Sequence, residues 1–430
     1  MKKLWRYFVL LVAFTFSIAC WNSFAQNVAF GVHAHELLNV PIFTLESIAR
    51  MLDSADVRWV RIAIPWMDVE PSQRQWDWGD LETRFALLKS YNINILGLLY
   101  KVPSWASSAP PGTDPRLVPY YVPSDTLNWI TYIDSTVNRF KNYITHWEIW
   151  NEPDGGFMYV PQVGTKHIRY VELLRCAYRT IKQRDPQAKV VFAGLTSGIG
   201  GFPKSLFIDS VMARGAADYF DIMNVHFYRY EDTPVQKVKS VLVQYGKSAP
   251  IWVTETNNWR SLLPDNTEQR AADSLRPWLN YLRSFGPENI FWFSLANFTA
   301  YGSDSTVWGL FNKPSYAPTA IYFAYKNYIA TVTSVHQSDS SIPLQFQLFQ
   351  NYPNPFNPST TIRFSLERRQ HATLKVFDVL GREVATLVDG ELNAGEHSVV
   401  FNAKNLPSGV YFYRLTAGPF VQQQKMIVVK

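Results

Sequence analysis

Residues 144–153 of the chain read Ile144-Thr145-His146-Trp147-Glu148-Ile149-Trp150-Asn151-Glu152-Pro153. Apolar and polar side chains alternate through the first seven positions, which predicts a buried strand, and Pro153 ends that strand because proline has no backbone N–H. Glu152 therefore stands at the exit of a strand, next to an amide. Barrels built from parallel strands carry their catalytic acids at this position.

A second carboxylate follows the same pattern later in the chain. Pro250-Ile251-Trp252-Val253-Thr254 is an apolar strand, and Glu255 comes directly after it. Enzymes that cleave glycosidic bonds typically need one carboxylic acid and a second, ionised carboxylate. If the two strands face each other across a barrel mouth, the carboxylates stand about 5–5.5 Å apart, as in a retaining enzyme.

Strand and helix patterns alternate from residue 28 to residue 330. The predicted strands are 28–33, 57–64, 93–100, 144–150, 190–194, 222–227, 251–254 and 290–294. Eight strand–helix units favour the α/β class and a (β/α)₈ TIM barrel over a doubly wound sheet. No glycine-rich phosphate loop follows the first strand, which counts against a dinucleotide-binding fold.

The N-terminus has the pattern of a secretory signal. Lys2 and Lys3 precede an apolar run over 7–19, which is too short for a membrane span, and Ser23-Phe24-Ala25 offers a cleavage site. We predict a signal peptide over residues 1–25, with a lipoprotein signal at Cys20 as the alternative. A chain of 430 residues, 47% of them hydrophobic, is long enough for a barrel and a small second module.

Charge and cysteine content exclude several classes of protein. Loss of residues 1–25 removes Lys2, Lys3 and Arg6 from a net charge of +6 and leaves +3. Without a basic cluster, this charge gives no indication of nucleic-acid binding. Cys176 alone remains after cleavage and lies in an amphipathic helix, which predicts a core thiol. We expect a monomer that needs no metal ion or organic cofactor.

Several of these positions together resemble clan A of the retaining β-glycosidases, with features of its families 39 and 5. Trp150-Asn151-Glu152-Pro153 looks like the acid/base motif, and Thr254-Glu255 looks like the nucleophile strand. The resemblance covers residues 28–330. It implies that Glu152 is the acid/base, that Glu255 is the nucleophile and that Asn151 bonds the 2-hydroxyl of the sugar.

The same resemblance implies supporting residues on other strands. Arg61, in Val60-Arg61, looks like the arginine that keeps the nucleophile ionised. His226 and Tyr228 form a His-x-Tyr motif that would orient the nucleophile. Trp292, in Phe291-Trp292, is similar to the tryptophan beneath the sugar ring.

Other residues compete for these roles. Glu148 precedes Glu152 on the same strand, and its apolar neighbours predict a buried ion pair rather than catalysis. Four further tryptophans follow strand ends or lie near them, and each fits a sugar subsite as well as core packing. They are Trp66, Trp105, Trp259 and Trp308.

Two other functions fit parts of the pattern. His33-Ala34-His35 ends the first strand, as in metal-dependent hydrolases built on barrels, but the fifth strand offers no further histidine ligand. If the chain is a glycosidase, His33 or His35 bonds a sugar hydroxyl instead. A non-catalytic glycan-binding barrel would be expected to lack Glu152 or Glu255, and the chain has both.

The remainder of the chain differs in composition. Residues 334–343 read as a polar linker, and short alternating strands punctuated by glycine and proline predict a small immunoglobulin-like β-sandwich over 344–430. The run from Asn351 to Ile362 resembles the opening of C-terminal sorting domains of type IX secretion, with a carbohydrate-binding or spacer module as the alternative.

These observations predict a secreted or surface-attached retaining β-glycosidase. Its catalytic domain spans 26–333, its substrate is a β-linked polysaccharide or oligosaccharide, and the type IX secretion machinery is its export partner.

Overall fold

The computed structural model of the protein describes residues 28–196, 204–228, 234–257, 267–297, 299–300, 304–305, 308–334, 346–351, 354–366, 369–392, 395–418 and 420–429. The chain forms two compact units that separate between residues 334 and 335. Among the residues described, no helix has the length and apolar character needed to cross a membrane.

Eight parallel strands form a barrel in the first unit. They are β1 (Ala29–His33), β2 (Trp59–Pro65), β3 (Asn94–Tyr100), β4 (His146–Ile149), β5 (Lys189–Val191), β6 (Met223–Phe227), β7 (Ile251–Thr256) and β8 (Asn289–Trp292). The hydrogen-bonded order is β5-β4-β3-β2-β1-β8-β7-β6. Isolated bridges, Val191 to Ile222 and Leu195 to Val225, join the two ends. The predicted (β/α)₈ barrel is confirmed.

Helices surround the barrel on its outside. They are α1 (Ile42–Ser54), α2 (Trp66–Val69), α3 (Leu81–Ser90), α4 (Thr126–Phe140), α5 (Lys166–Arg184), α6 (Lys204–Met212), α7 (Pro234–Gln244), α8 (Glu268–Arg283) and α9 (Ala320–Ser334). Two short antiparallel pairs follow β8. They are β9 (Thr299–Ala300) with β10 (Asp304–Ser305), and β11 (Phe311–Asn312) with β12 (Ala317–Pro318). Cys176 lies half-buried on α5 against the core, as a core thiol would.

The amino-terminal end of the barrel is filled with large side chains. Trp252, Phe291 and Leu96 form a buried cluster there, and Trp59 packs against it. The His146 ring stacks on Trp252 at a centroid distance of 5.2 Å. This packing closes the barrel floor, so the carboxyl ends of the strands form the end at which side chains can face an open cavity.

The second unit consists of two antiparallel sheets. One contains β13 (Gln347–Leu348), β14 (Ser359–Leu366) and β17 (Gly395–Asn402), and the other contains β15 (Gln370–Phe377), β16 (Glu383–Leu392), β18 (Gly409–Ala417) and β19 (Phe420–Val428). Ile362 and Phe364 of the first sheet share a core with Leu374 and Tyr413 of the second. The predicted β-sandwich is confirmed.

Strand β16 was not predicted from the sequence. It is an edge strand, and none of its ten residues is buried, so it lacks the apolar alternation that marked the other strands. Gly390, one of the glycines expected to separate strands, lies inside it. The predicted signal peptide and all but the first residue of the predicted linker lie outside the described residues.

Candidate active site

Glu152 and Glu255 face each other at the carboxyl end of the barrel. Glu152 follows β4 and Glu255 lies within β7. One oxygen of each carboxylate and one ring nitrogen of His226 lie within 4.8 Å of one another. Both glutamates line a cavity of about 680 Å³. The structure therefore brings together the two carboxylates that the sequence singled out.

An unusual turn delivers Glu152 to the cavity. Trp150 and Glu152 have positive φ angles, 73° and 43°, which residues other than glycine rarely adopt. Hydrogen bonds hold the turn, since Trp150 N–H donates to Leu99 O at 3.0 Å and Glu152 N–H donates to Gly194 O at 3.1 Å. Backbone held in such a conformation by its surroundings is typical of functional sites.

Arg61 donates hydrogen bonds to several side chains beneath the cavity. Its Nη1 donates to Glu255 Oε1 at 2.6 Å, and its Nη2 donates to Asn151 Oδ1 at 2.8 Å. Nε and Nη2 also form a two-pronged contact with Glu148, at 2.6 and 2.9 Å. Burial acts to lower the pKa of Arg61, but the charges of Glu148 and Glu255 outweigh it and raise that pKa.

Glu148 is a structural ion-pair partner, as predicted. Besides Arg61, it accepts hydrogen bonds from Gly194 N–H at 3.1 Å and from Asn224 Nδ2 at 3.0 Å. Its side chain is fully buried and does not line the cavity. A carboxylate with this many donors and no access to the cavity holds Arg61 in place rather than meeting a substrate.

Glu255 sits in surroundings that keep it ionised. Tyr228 donates its hydroxyl hydrogen to Glu255 Oε2 at 2.6 Å, opposite the contact from Arg61. Burial acts to raise the pKa of Glu255, but the charges of His226, Arg61 and His33 and the tyrosine hydrogen bond lower it to about 2. A buried, ionised carboxylate facing a cavity has the properties of a nucleophile.

His226 has a different main partner from the one expected. Its Nδ1 lies 2.7 Å from Glu152 Oε1 and 3.5 Å from Glu255 Oε2, so the imidazole bonds the expected acid/base more closely than the expected nucleophile. Burial acts to lower the pKa of His226, but the charge of Glu255 and the contact with Glu152 raise it. Tyr228 alone of the His-x-Tyr pair bonds Glu255.

Gly194 belongs to the site although its sequence context gave no signal. A Cβ atom at this position would lie 2.0 Å from Nε2 of His226. The residue also bonds Glu148 and Glu152 through its backbone. Only a glycine lets the imidazole approach the strand closely enough to reach Glu152. The contact joins β6 to the segment after β5, which local sequence cannot predict.

His33 and His35 line the cavity, but their contacts do not fit a metal site. Arg61 Nη1 donates to Nδ1 of His33 at 2.9 Å, and His33 Nε2 lies 3.3 Å from Nδ1 of His35. Burial and the Arg61 charge lower the pKa of His33, which keeps it neutral. A guanidinium at the free lone pair is incompatible with metal coordination there.

Within the described residues, the one group of His, Cys, Asp and Glu side chains with metal-like spacing is Glu152, His226 and Glu255. That group includes neither residue of the His33-x-His35 motif. Arg61 and Tyr228 already donate to the two oxygens of Glu255. The metal-dependent hydrolase suggested by the motif is therefore not assembled in this structure.

Trp292 lies outside the cavity, contrary to expectation. Its side chain is buried in the layer between barrel and helices, where Nε1 donates to Trp308 O at 2.7 Å and the ring meets Tyr325 of α9 at 6.1 Å. The next residue, Phe293, lines the cavity instead, with its ring 5.1 Å from that of His33. Successive side chains of a strand point to opposite faces, so Trp292 and Phe293 lie on opposite sides of the barrel wall.

The remaining tryptophans divide between packing and the cavity. Trp66 is buried with Nε1 bonded to Glu70 at 2.7 Å, and Trp105 donates to the backbone of Glu70 at 3.0 Å. Neither lines the cavity, and Trp259 lies outside the described residues. Trp78 does line the cavity, together with Tyr100, Phe157 and Phe293, which the sequence had not singled out as site residues.

A second cavity adjoins the first at Glu152. It has a volume of about 750 Å³ and shares Glu152 and Phe157 with the first. Tyr228 lines the second cavity, whereas Glu255 lines the first. Glu152 therefore stands where the two spaces meet.

Two family models match the chain. Residues 104–325 match the glycosyl hydrolase catalytic core, and residues 350–430 match the secretion system C-terminal sorting domain. The sorting domain indicates export by type IX secretion to the cell surface or beyond. No sequence among curated proteins matches the chain.

Solved structures share the fold at low sequence identity. A family 39 glycoside hydrolase from Bacteroides cellulosilyticus WH2 has a TM-score of 0.56 and 18% identity, over 92% of this chain and 81% of that one. A glucosidase from Croceicoccus marinus has a TM-score of 0.54 and 12% identity, over 94% and 96%. A monomeric β-xylosidase from Caulobacter crescentus CB15 has a TM-score of 0.54 and 13% identity, over 86% and 95%.

Proposed function

Since the chain belongs to the glycosyl hydrolase catalytic core family, we propose that it is a retaining β-glycosidase in which Glu255 is the nucleophile and Glu152 the acid/base. The observation that carries the proposal is the separation of the two carboxylates, whose nearest oxygens lie within 4.8 Å. Retaining glycosidases place these groups about 5–5.5 Å apart, whereas inverting enzymes leave about 6.5–9.5 Å for a water molecule.

In the first step, Glu255 attacks the anomeric carbon while the glycosidic C–O bond breaks. Glu152 gives its proton to the departing oxygen, and a covalent glycosyl-enzyme forms. Arg61 and Tyr228 support this assignment because their hydrogen bonds keep Glu255 ionised before the attack. In this proposal Asn151, whose Oδ1 accepts from Arg61, bonds the 2-hydroxyl of the sugar.

In the second step, Glu152 acts as a base. It takes a proton from water, the water oxygen attacks the anomeric carbon, and Glu255 departs with its electron pair. Two inversions at one carbon give a product with the original configuration. The reaction needs no metal ion or organic cofactor, so EDTA should leave activity unchanged. A loss of activity that zinc restores would favour a metal-dependent hydrolase instead.

The substrate is a β-linked polysaccharide or oligosaccharide. The cavity beyond Glu152 offers room for the leaving group, opposite the cavity that contains Glu255. A panel of 4-nitrophenyl β-glycosides, xylan, β-glucan and mannan, analysed by product size, would identify the sugar. We propose that the enzyme acts as a monomer, which light scattering would test.

Replacement of the nucleophile tests the mechanism. Glu255→Ala should reduce turnover by several orders of magnitude, and azide should restore part of it with a product of inverted configuration. Glu46→Gln, on an exposed carboxylate of α1, is the control and should behave like wild type. Full activity of Glu255→Ala, or wild-type hydrolysis that inverts configuration in NMR spectra, would refute the proposal.

Export requires both ends of the chain in this proposal. Residues 1–25 direct the chain across the inner membrane, and the C-terminal sorting domain directs it across the outer one. A chain that ends at Ile342 should accumulate inside the native host. If it reached the medium in normal amounts, the sorting domain would not be needed for export.

A further inference from the structure

Asp68 and Lys101 face the cavity that contains the two glutamates, at the exits of two neighbouring strands. Asp68 lies in α2, the single turn that follows β2, and Lys101 directly follows β3. Both line the cavity, and neither side chain forms a hydrogen bond or an ion pair with another residue in the described part of the chain. Their opposite charges attract each other without contact.

Lys101 is partly buried and Asp68 is exposed at the cavity, and neither side chain has a hydrogen-bond partner among the described residues. Burial raises the pKa of the Asp68 carboxyl, with Lys101 opposing it, and burial lowers the pKa of the Lys101 ammonium, with Asp68 opposing it. The ammonium also lies 5.2 Å from the ring centroid of Tyr100 and 5.8 Å from that of Tyr120. Polar groups in such surroundings are stabilised when a ligand supplies hydrogen bonds.

The backbone places this pair at some cost. Lys101 has a φ of 61°, in the left-handed region where a residue with a side chain is strained. Met67 N–H donates to Lys101 O at 2.9 Å, which ties the turn carrying Lys101 to the helix carrying Asp68. Glycine would adopt this conformation without strain, yet the chain has a lysine here, and that lysine lines the cavity.

The pair stands close to the reacting groups. Tyr100 lines the same cavity; burial raises the pKa of its hydroxyl, and the charges of Arg61, Glu255 and Asp68 all act on that pKa, so Tyr100 lies within reach of Asp68 and of the reacting groups. A sugar ring bound to Glu255 would therefore extend toward Asp68 and Lys101.

We propose that Asp68 and Lys101 bind hydroxyl groups of the glycone and so select a neutral sugar. The carboxylate accepts from one hydroxyl, and the ammonium donates to another. A uronate would meet the negative charge of Asp68, and an amino sugar would meet the positive charge of Lys101. This inference rests on the proposed glycosidase function.

Substrate analogues and protein variants together test the contact. The 4-nitrophenyl β-glycoside or β-bioside with the fastest turnover is compared with its monodeoxy analogues, on wild type, Asp68→Asn and Lys101→Met. Wild type should lose about 10- to 100-fold in kcat/KM for the analogue that lacks the hydroxyl bound by Asp68, as for a hydrogen bond to a charged group. Asp68→Asn should lose a similar factor on the parent glycoside and little more on that analogue.

Asp77→Asn is the matched control. Asp77 lines the same cavity, but its Oδ1 already accepts from Gly79 N–H at 3.0 Å. This variant should show the same ratio between parent and deoxy substrates as wild type. The assignment would be overturned if Asp68→Asn lost kcat/KM by the same factor on the parent glycoside and on every deoxy analogue. It would also be overturned if Asp77→Asn lost kcat/KM on the parent glycoside but not on one analogue.

Lys101→Gly separates substrate binding from folding. The variant should unfold at a higher temperature, because glycine relieves the strained φ, yet lose about 10-fold or more in kcat/KM. A more stable variant with full kcat/KM would show that the lysine has no role in binding.

The charge preference gives an independent readout. The 4-nitrophenyl β-uronide should be hydrolysed at least about 10-fold more slowly than its neutral counterpart, and Asp68→Asn should narrow that gap. A preference for the uronide that depends on Lys101 alone would overturn the proposed selection, whereas no turnover of any glycoside would instead refute the glycosidase function.

Discussion

Nδ1 of His226 lies 2.7 Å from Oε1 of Glu152 and is farther, 3.5 Å, from Glu255. The imidazole is therefore positioned to stabilise the charge on Glu152, while Tyr228 and Arg61 stabilise the charge on Glu255. In the proposed mechanism the two carboxylates need opposite states at the start of the reaction. Arg61 and Tyr228 keep Glu255 ionised for the attack, whereas His226 favours the ionised form that Glu152 takes in the second step.

Replacing His226 by phenylalanine should slow the second chemical step. That step requires ionised Glu152, and the variant lacks the N–H that stabilises this form, so kcat should fall about 10- to 100-fold. The alkaline limb of the kcat/KM profile should move to higher pH. With a reactive aryl glycoside, stopped-flow traces should show a larger burst of released phenol. An unchanged burst and pH profile would mean that His226 only packs.

Tyr228→Phe provides the contrasting variant. It removes the donor to Glu255 Oε2, whose pKa of about 2 depends partly on that bond. The acidic limb of kcat/KM should therefore move to higher pH, and the first step should slow without a burst. If both variants showed the same profile, the division of donors between the carboxylates would be wrong.

Gly194→Ala should disable the site by displacing His226. The new methyl group would lie 2.0 Å from Nε2 of His226, so the ring must leave Glu152. We expect kcat to fall as far as in His226→Ala, and the double variant to be no worse than either, since the smaller side chain leaves room for the methyl. Gly390→Ala, on the edge strand β16 of the second unit, is the control, because its added methyl group meets nothing within 4 Å. If the losses in kcat of the two single variants added up in the double variant, displacement of His226 would not explain the effect of Gly194→Ala.

The exits of the barrel strands could be predicted from sequence because they depend on local patterns. Glu152 and Glu255 each end an apolar run, and parallel strands carry their carboxyl ends to the same edge. The partner of His226 depends on a choice between two carboxylates that lie close together, and no local pattern encodes that choice. Gly194 depends in the same way on a ring contributed by another strand.

Trp292 shows how strand register limits prediction from a motif. The residue type matched the expected tryptophan, but Trp292 pairs with Val32 of β1 and faces the helix layer. A shift of one residue reverses which face of a strand a side chain occupies. Similarly, β16 was missed because an exposed edge strand has no apolar pattern to detect.

Phe293→Ala should therefore lower activity but not stability, and Trp292→Phe should lower stability but not activity. Loss of the Phe293 ring removes apolar surface from the cavity, so kcat/KM should fall about 10- to 100-fold with little change in stability. Trp292→Phe removes core volume and the bond to Trp308 O, which should lower the free energy of unfolding by about 1–3 kcal/mol and leave kcat/KM close to wild type. Activity assays and urea denaturation would check both. The reverse result would restore Trp292 to the sugar site.

His146 should make the barrel sensitive to acid. Burial against Trp252, and then the charge of Lys189, lower its pKa from 6.5 to about 4. The unfolded chain thus binds a proton more readily, so stability is fully present above about pH 6.5 and is lost as pH falls toward 4. The shift corresponds to about 3 kcal/mol.

His146→Phe would keep the aromatic stack without a titrating group. Between pH 7 and pH 4, wild type should lose about 3 kcal/mol more unfolding free energy than the variant, because every other acid-sensitive group is common to both proteins. Urea denaturation followed by tryptophan fluorescence suits this test, since no tryptophan follows residue 308 in the sequence and the second unit, which begins at residue 335, therefore contributes no signal. At pH 8 the imidazole is neutral in both the folded and the unfolded chain, so the difference in unfolding free energy between wild type and variant gives the packing effect alone. Parallel curves of stability against pH would show that His146 does not titrate in this range.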